Sequence, residues 1–151
     1  MVDFAVDSED IKILDTYIFP ILFLYRQFIA LSIKSLYIEY SNDGTMDEKV
    51  QKSKNIGHKL EGIWKLLKPT LINASDSQSE KEDIEIVENY IMQYHHYDQT
   101  SFKFRYPTAK NYKSQVKKSE TIDIVHLKEC MTELENFFSY LDWKLDLLKD
   151  C

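Results

Sequence analysis

The sequence predicts an all-α protein, a bundle of long helices in a single domain spanning residues 1–151. Three observations carry this reading. Apolar residues recur at helical spacing over several long stretches. Glycine and proline number only three each, too few for the many turns of an all-β chain. With 151 residues of which 44% are hydrophobic, the chain is large enough to bury roughly 70% of its unfolded surface in one core.

The first helix is expected from about Ser8 to Tyr40, with Ser8 and Asp10 as a capped, acidic start and Asn42-Asp43-Gly44 as a stop. Pro20 lies inside it and should kink or divide it. From Ile21 onward it is apolar nearly all round, as a central bundle helix should be. Its stretch Thr16 to Tyr25 is apolar enough to test for a membrane span. Arg26 ends that run after ten residues, where a span needs ~20, so a buried core helix is expected and no membrane.

The second helix is expected over about Ser53 to Leu67, with Ile56, Leu60, Ile63, Trp64 and Leu67 on one stripe and Pro69 blocking continuation. Residues 72–80 read as a loop. Ser79 with Glu82 suggests a capping box for a third helix over about 80–96, whose stripe is Ile84, Val87, Ile91 and Tyr94. A fourth helix, about Thr121 to Lys149, carries the steadiest seam: Leu127, Met131, Leu134, Phe138, Leu141, Leu145 and Leu148. Such a seam can serve the core, a dimer, or both. Between the third and fourth helices lies a long irregular segment, Asp98 to Ser119, and segments of that length are often functional.

The net charge of −6 repels nucleic acid on average, so any such contact must be local. One basic island exists. Lys103, Arg105, Lys110, Lys113, Lys117 and Lys118 fall between Asp98 and Glu120 with no acid among them, leaving 13 basic against 25 acidic residues elsewhere. Phe102, Phe104, Tyr106 and Tyr112 are interleaved with these charges. Cations that hold phosphates beside aromatic faces that stack on unpaired bases suit RNA. A solvated loop pairing with the chain's own acidic surface fits the same residues.

Arg26 sits within an apolar helix, where an unpaired charge is costly, and Lys34 follows eight residues later on nearly the same face. Both can snorkel or pair with an acid, or they can form a cationic cluster at a groove. His58 opens the stripe of the second helix; His95 and His96 end the third, where a cation suits the helix dipole. His126 and Cys130 make a weak pair, and no histidine spacing matches a helical zinc site, so no metal is expected. Neither a phosphate-binding glycine loop nor a GxSxG motif is present, so no cofactor is expected either. Cys130 and Cys151 form no disulfide framework, and Met1 to Ser8 lacks a basic start; both point to a reducing cytoplasm.

Three pieces together resemble a known family: Pro20-Ile-Leu-Phe-Leu-Tyr-Arg26 with Leu31-Ser-Ile-Lys34, Gly57-His58-Lys59-Leu60 with Trp64, and Ser101-Phe-Lys-Phe-Arg105-Tyr106-Pro107. In this order, over roughly residues 17–148, the chain resembles the HEPN superfamily, specifically small bacterial members with an FRYP segment. The resemblance implies a HEPN-like up-and-down bundle, typically a homodimer, from a superfamily of RNA-cleaving toxins, defence proteins and non-catalytic partners of nucleotidyltransferases. The RNase signature, Arg followed by His after four to six residues, is absent: after Arg26 the eligible positions hold Leu31, Ser32 and Ile33, and after Arg105 they hold Lys110, Asn111 and Tyr112. Gln27 and Ala30 also stand where His and Glu would be expected from related sequences.

Three functions follow as expectations. The first is a non-catalytic HEPN-like module that binds RNA, a nucleotide or a protein partner, in phage defence or a toxin–antitoxin system, with Arg26, Lys34, His58, Arg105 and Tyr106 as ligand-binding candidates. The second is a metal-independent RNase in which Arg26 or Arg105 acts with His58 as general base. The third is a dimerisation scaffold in which the FRYP segment is structural.

Overall fold

The computed structural model describes residues 11–99 and 123–149 together with Asp3; the side chains of residues 11–15 are left undescribed. These residues form an all-α bundle of five helices: α1 (Ile11–Tyr40), α2 (Met46–Ile56), α3 (Leu60–Ala74), α4 (Gln78–Tyr97) and α5 (Ile124–Lys149). The irregular segment expected between the last two helices falls almost wholly outside them.

The helices alternate in direction. α2 starts beside the end of α1, where Lys49 bonds Ser41, and returns to the level of Arg26 and Lys34. α3 then runs parallel to α1, α4 runs back along α3 with Glu88 beside Trp64 and His95 beside Glu61, and α5 rises again, linked to Tyr40 by Asp142. α1 is the central helix, packed between α3 and α5, and α4 lies on the outer side of α3. By length and composition, Thr16–Tyr40 could cross a membrane. Within the bundle it supplies the buried residues Ile29, Ile33, Leu36 and Tyr37.

Burial follows the sequence stripes. Leu60, Ile63, Trp64 and Leu67 of α3, Ile84, Val87 and Ile91 of α4, and Met131, Leu134, Phe138, Leu141 and Leu145 of α5 share one core. Each such side chain stabilises the fold by about 1.5–3 kcal/mol relative to exposure. Trp64 keeps its polar edge satisfied there, because its Nε1 donates to Glu88 Oε1 at 3.0 Å. Leu148 departs from its seam and is half exposed. The last turn of α5 lies level with the last turn of α1, where Lys149 pairs with Glu39, and Leu148 there lines an open groove instead of the core.

Three local expectations are corrected, and α1 runs on through Pro20 as one helix. Pro69 does not end α3, which continues to Ala74. Both prolines, and the residues four positions earlier, Thr16 and Lys65, lie on exposed sides where water tolerates the missing backbone bond. Leu71 is buried beyond Pro69, so core packing carries α3 past it. The start of α4 is capped by Ser77, not Ser79: its Oγ accepts from Glu80 N at 3.2 Å, and Glu80 returns a carboxylate oxygen to Asp76 N at 2.7 Å. Finally, the stripe read as one helix over Ser53 to Leu67 is two.

The break falls at Gly57, whose φ of 68° and ψ of −119° suit glycine alone. Its N–H closes α2 on the carbonyls of Ser53 and Lys54. A second glycine lets the two helices close up: a Cβ on Gly62 would stand 2.7 Å from Ile56 Cγ2. α2 itself begins with a full capping box between Thr45 and Glu48.

Candidate functional site

Arg26 and Lys34 both reach from α1 to the break between α2 and α3. Arg26 is fully buried, and its Nη2 donates to the carbonyl of His58 at 2.5 Å while its Nε donates to the carbonyl of Asp98 at 3.0 Å. The Asp98 carboxylate, also buried, lies 3.8 Å from Nε and neutralises the charge. Lys34 Nζ donates to the carbonyl of Gly57 at 3.0 Å. Two cations on α1 therefore hold two consecutive carbonyls of the connection between α2 and α3, those of the C-cap Gly57 and of His58. Burial pushes both below their usual pKa, and for Arg26 the Asp98 carboxylate opposes that shift.

Arg26 and His58 thus share one polar cluster, but through the carbonyl of His58; its ring belongs to an exposed residue. An enclosed guanidinium whose donors serve main-chain carbonyls and an exposed imidazole do not face one substrate together. Arg26 Nη1, Tyr94 Oη and His95 Nδ1 are buried without hydrogen-bond partners among the described residues. The side chain of His95 lies 3.4 Å from Glu61, and burial lowers its pKa against the pull of that acid.

Arg105, Tyr106 and the basic residues Lys103, Lys110, Lys113, Lys117 and Lys118 lie outside the described residues. His126 Nε2 stands 3.6 Å from the free thiol of Cys130 at an exposed position, and no group of three metal-binding side chains occurs among the described residues.

Two further features were not read from the sequence. At the far end of the bundle, roughly 22 Å along α1 from Arg26, a groove of about 990 Å³ opens between the end of α1, α3 and the end of α5. The outer face of α5 carries an apolar ridge: Trp143 is 60% exposed, with Tyr140 and Leu147 beside it at helical spacing and the Tyr140 and Trp143 rings 6.1 Å apart. The signal for the ridge was present, since these residues stand off the Leu127–Leu148 seam at i, i+3 and i+7. The groove joins residues remote in sequence and left no such signal.

Lysines over the described surface are widely paired with acids: Lys52 with Asp43, Lys65 with Glu61, Lys68 with Glu88, Lys128 with Asp3, Lys144 with Asp76 and Glu80, and Lys149 with Glu39. A comparison with protein-family models, curated proteins and solved structures finds no match to this chain.

Proposed function

We propose that this chain is a non-catalytic helical interaction module, HEPN-like in kind, that binds a protein surface through the outer face of α5, first of all a second copy of itself. The observation that carries this reading is Trp143. A tryptophan held 60% exposed beside Tyr140 and Leu147, on a helix whose opposite face already fills the core, adds nothing to the monomer's interior. Exposed aromatic ridges of this kind are characteristic anchors of protein interfaces. A ridge on one straight helix can also pack on its own copy about a two-fold axis, which makes a homodimer the simplest assembly.

The enclosure of Arg26 argues against catalysis by an Arg26–His58 pair. The pairing of so many surface lysines argues against a phosphate-binding face among the described residues. RNA or nucleotide binding in a reducing cytoplasm stays attached to one observation, the acid-free island from Lys103 to Lys118. Titration of a labelled single-stranded RNA at rising salt tests it: six phosphate contacts would give a steep salt dependence, with log K falling by about 0.7 per contact per log unit of salt. The interface reading is tested by the mass of the chain in solution with and without Trp143.

A further inference from the structure

The groove at the end of the bundle holds a buried lysine that makes no direct ion pair among the described residues, although the carboxylates of Glu39 and Asp43 stand near enough to feel its charge. Lys49, in the first turns of α2, is only 7% exposed, and its Nζ donates to the carbonyl of Ser41 at 3.0 Å. An ammonium has three donors, and no carboxylate lies within ion-pair distance of this one among the described residues. Ser41 is 6% exposed, and its Oγ has no hydrogen-bond partner among the described residues. Both residues line the same cavity of about 990 Å³, a volume suited to a small organic ligand.

A buried charge is costly unless paired, and a buried hydroxyl without a partner is costly too. Here the two deficits lie side by side on one wall, and a single anionic oxygen acceptor would relieve both. The nearby acids are already engaged. Asp43 accepts from Tyr37 Oη at 2.7 Å and Lys52 Nζ at 2.6 Å, and Glu39 pairs with Lys149. The rest of the groove is mixed: Leu66, Pro69, Leu145 and Leu148 give it an apolar strip, and Asn42, Lys65, Thr70, Asn73 and Lys149 flank that strip with polar groups.

We infer that this groove binds a small amphipathic carboxylate, its head group on Lys49 and Ser41 and its apolar body along Leu66, Pro69, Leu145 and Leu148. One buried ammonium with one hydroxyl matches a single negative charge. Glu39 and Asp43 also line the groove and disfavour a dianion such as phosphate. The apolar wall disfavours a fully hydrated head without a chain.

The test uses the full chain and three probes, octanoate, 1-octanol and inorganic phosphate, followed by ¹H–¹⁵N shifts. Octanoate should give saturable shifts centred on residues 41–49 and 145–149, and bind at least about tenfold more tightly than either other probe. Lys49→Met should weaken octanoate binding by about tenfold or more, the loss of one ionic contact. Should Lys49→Met fail to fold, Ser41→Ala decides instead, and should lower octanoate affinity without altering the fold. Octanol binding as well as octanoate, phosphate binding better, absence of saturation into the millimolar range, or octanoate affinity unchanged in the variant that folds would each overturn the assignment.

Discussion

Arg26 and Asp98, 72 residues apart, meet inside the bundle: Arg26 Nε lies 3.0 Å from the carbonyl of Asp98 and 3.8 Å from its carboxylate, with both side chains out of solvent. The contact joins the middle of α1 to the end of α4, and the neighbouring bond to His58 joins it to the start of α3. One side chain thereby fixes where three helices meet.

Removing this arginine should be costly. Arg26→Ala takes the guanidinium away from the buried Asp98 carboxylate and leaves two carbonyls without this donor, and breaking such a pair typically costs ~3–5 kcal/mol. Arg26→Lys keeps the charge but cannot span both carbonyls with a rigid fork, so a smaller loss is expected. Denaturant unfolding measures both. A loss within ~0.5 kcal/mol for Arg26→Ala would show that the cluster does not hold the helices together.

The α5 seam makes a contrasting pair. Leu134 is buried in the core, and Leu134→Ala should cost ~2–5 kcal/mol. Leu148→Ala, at the half-exposed end of the same seam, should stay within ~0.5 kcal/mol. Equal losses in thermal or denaturant unfolding would contradict the termination of the core near Leu145.

Glu80 gives the fold an acid-sensitive tie. Its carboxylate accepts from Lys144 Nζ and Tyr140 Oη, each at 2.6 Å, and from the backbone of Asp76, and these bonds in that order hold its pKa down at about 2, against an ordinary 4.5. A depressed carboxylate contributes stability above its unfolded pKa and loses it as pH falls through the folded one. The stability difference between the native chain and Glu80→Gln should therefore be constant above about 4.5 and shrink towards zero as pH approaches 2. Urea midpoints measured across this range check it. A difference that does not change with pH would show that the tie between α4 and α5 is not ionic.

Periodicity was enough to read the helical stripes of Leu60–Leu67, Ile84–Ile91 and Leu127–Leu145, because each packs one face against a common core. It failed wherever a single residue decided the path. Gly57 splits a continuous stripe because only its backbone conformation shows the break, and Pro69 reads as a stop until the burial of Leu71 outweighs it. At the candidate site the odd residue Arg26 was legible as a charge needing a partner. Its acid, Asp98, was not, since nothing local links the end of α4 to the middle of α1. Lys49 and Ser41 were invisible for the same reason: a lysine and a serine in a polar stretch are ordinary until the fold encloses them. Trp143 was legible and passed over, because the stronger seam on the same helix accounted for the helix by itself.

The interface proposed on α5 is tested most directly by sedimentation equilibrium of the native chain and of Trp143→Glu at micromolar concentration. The native chain should sediment at twice the 18.0 kDa chain mass. Trp143→Glu should sediment at 18.0 kDa and still unfold cooperatively, because Trp143 fills no core, with a midpoint that no longer depends on protein concentration. A native chain that remains at 18.0 kDa, or a dimer that Trp143→Glu leaves intact, would contradict the assignment of this face as the interface between two copies.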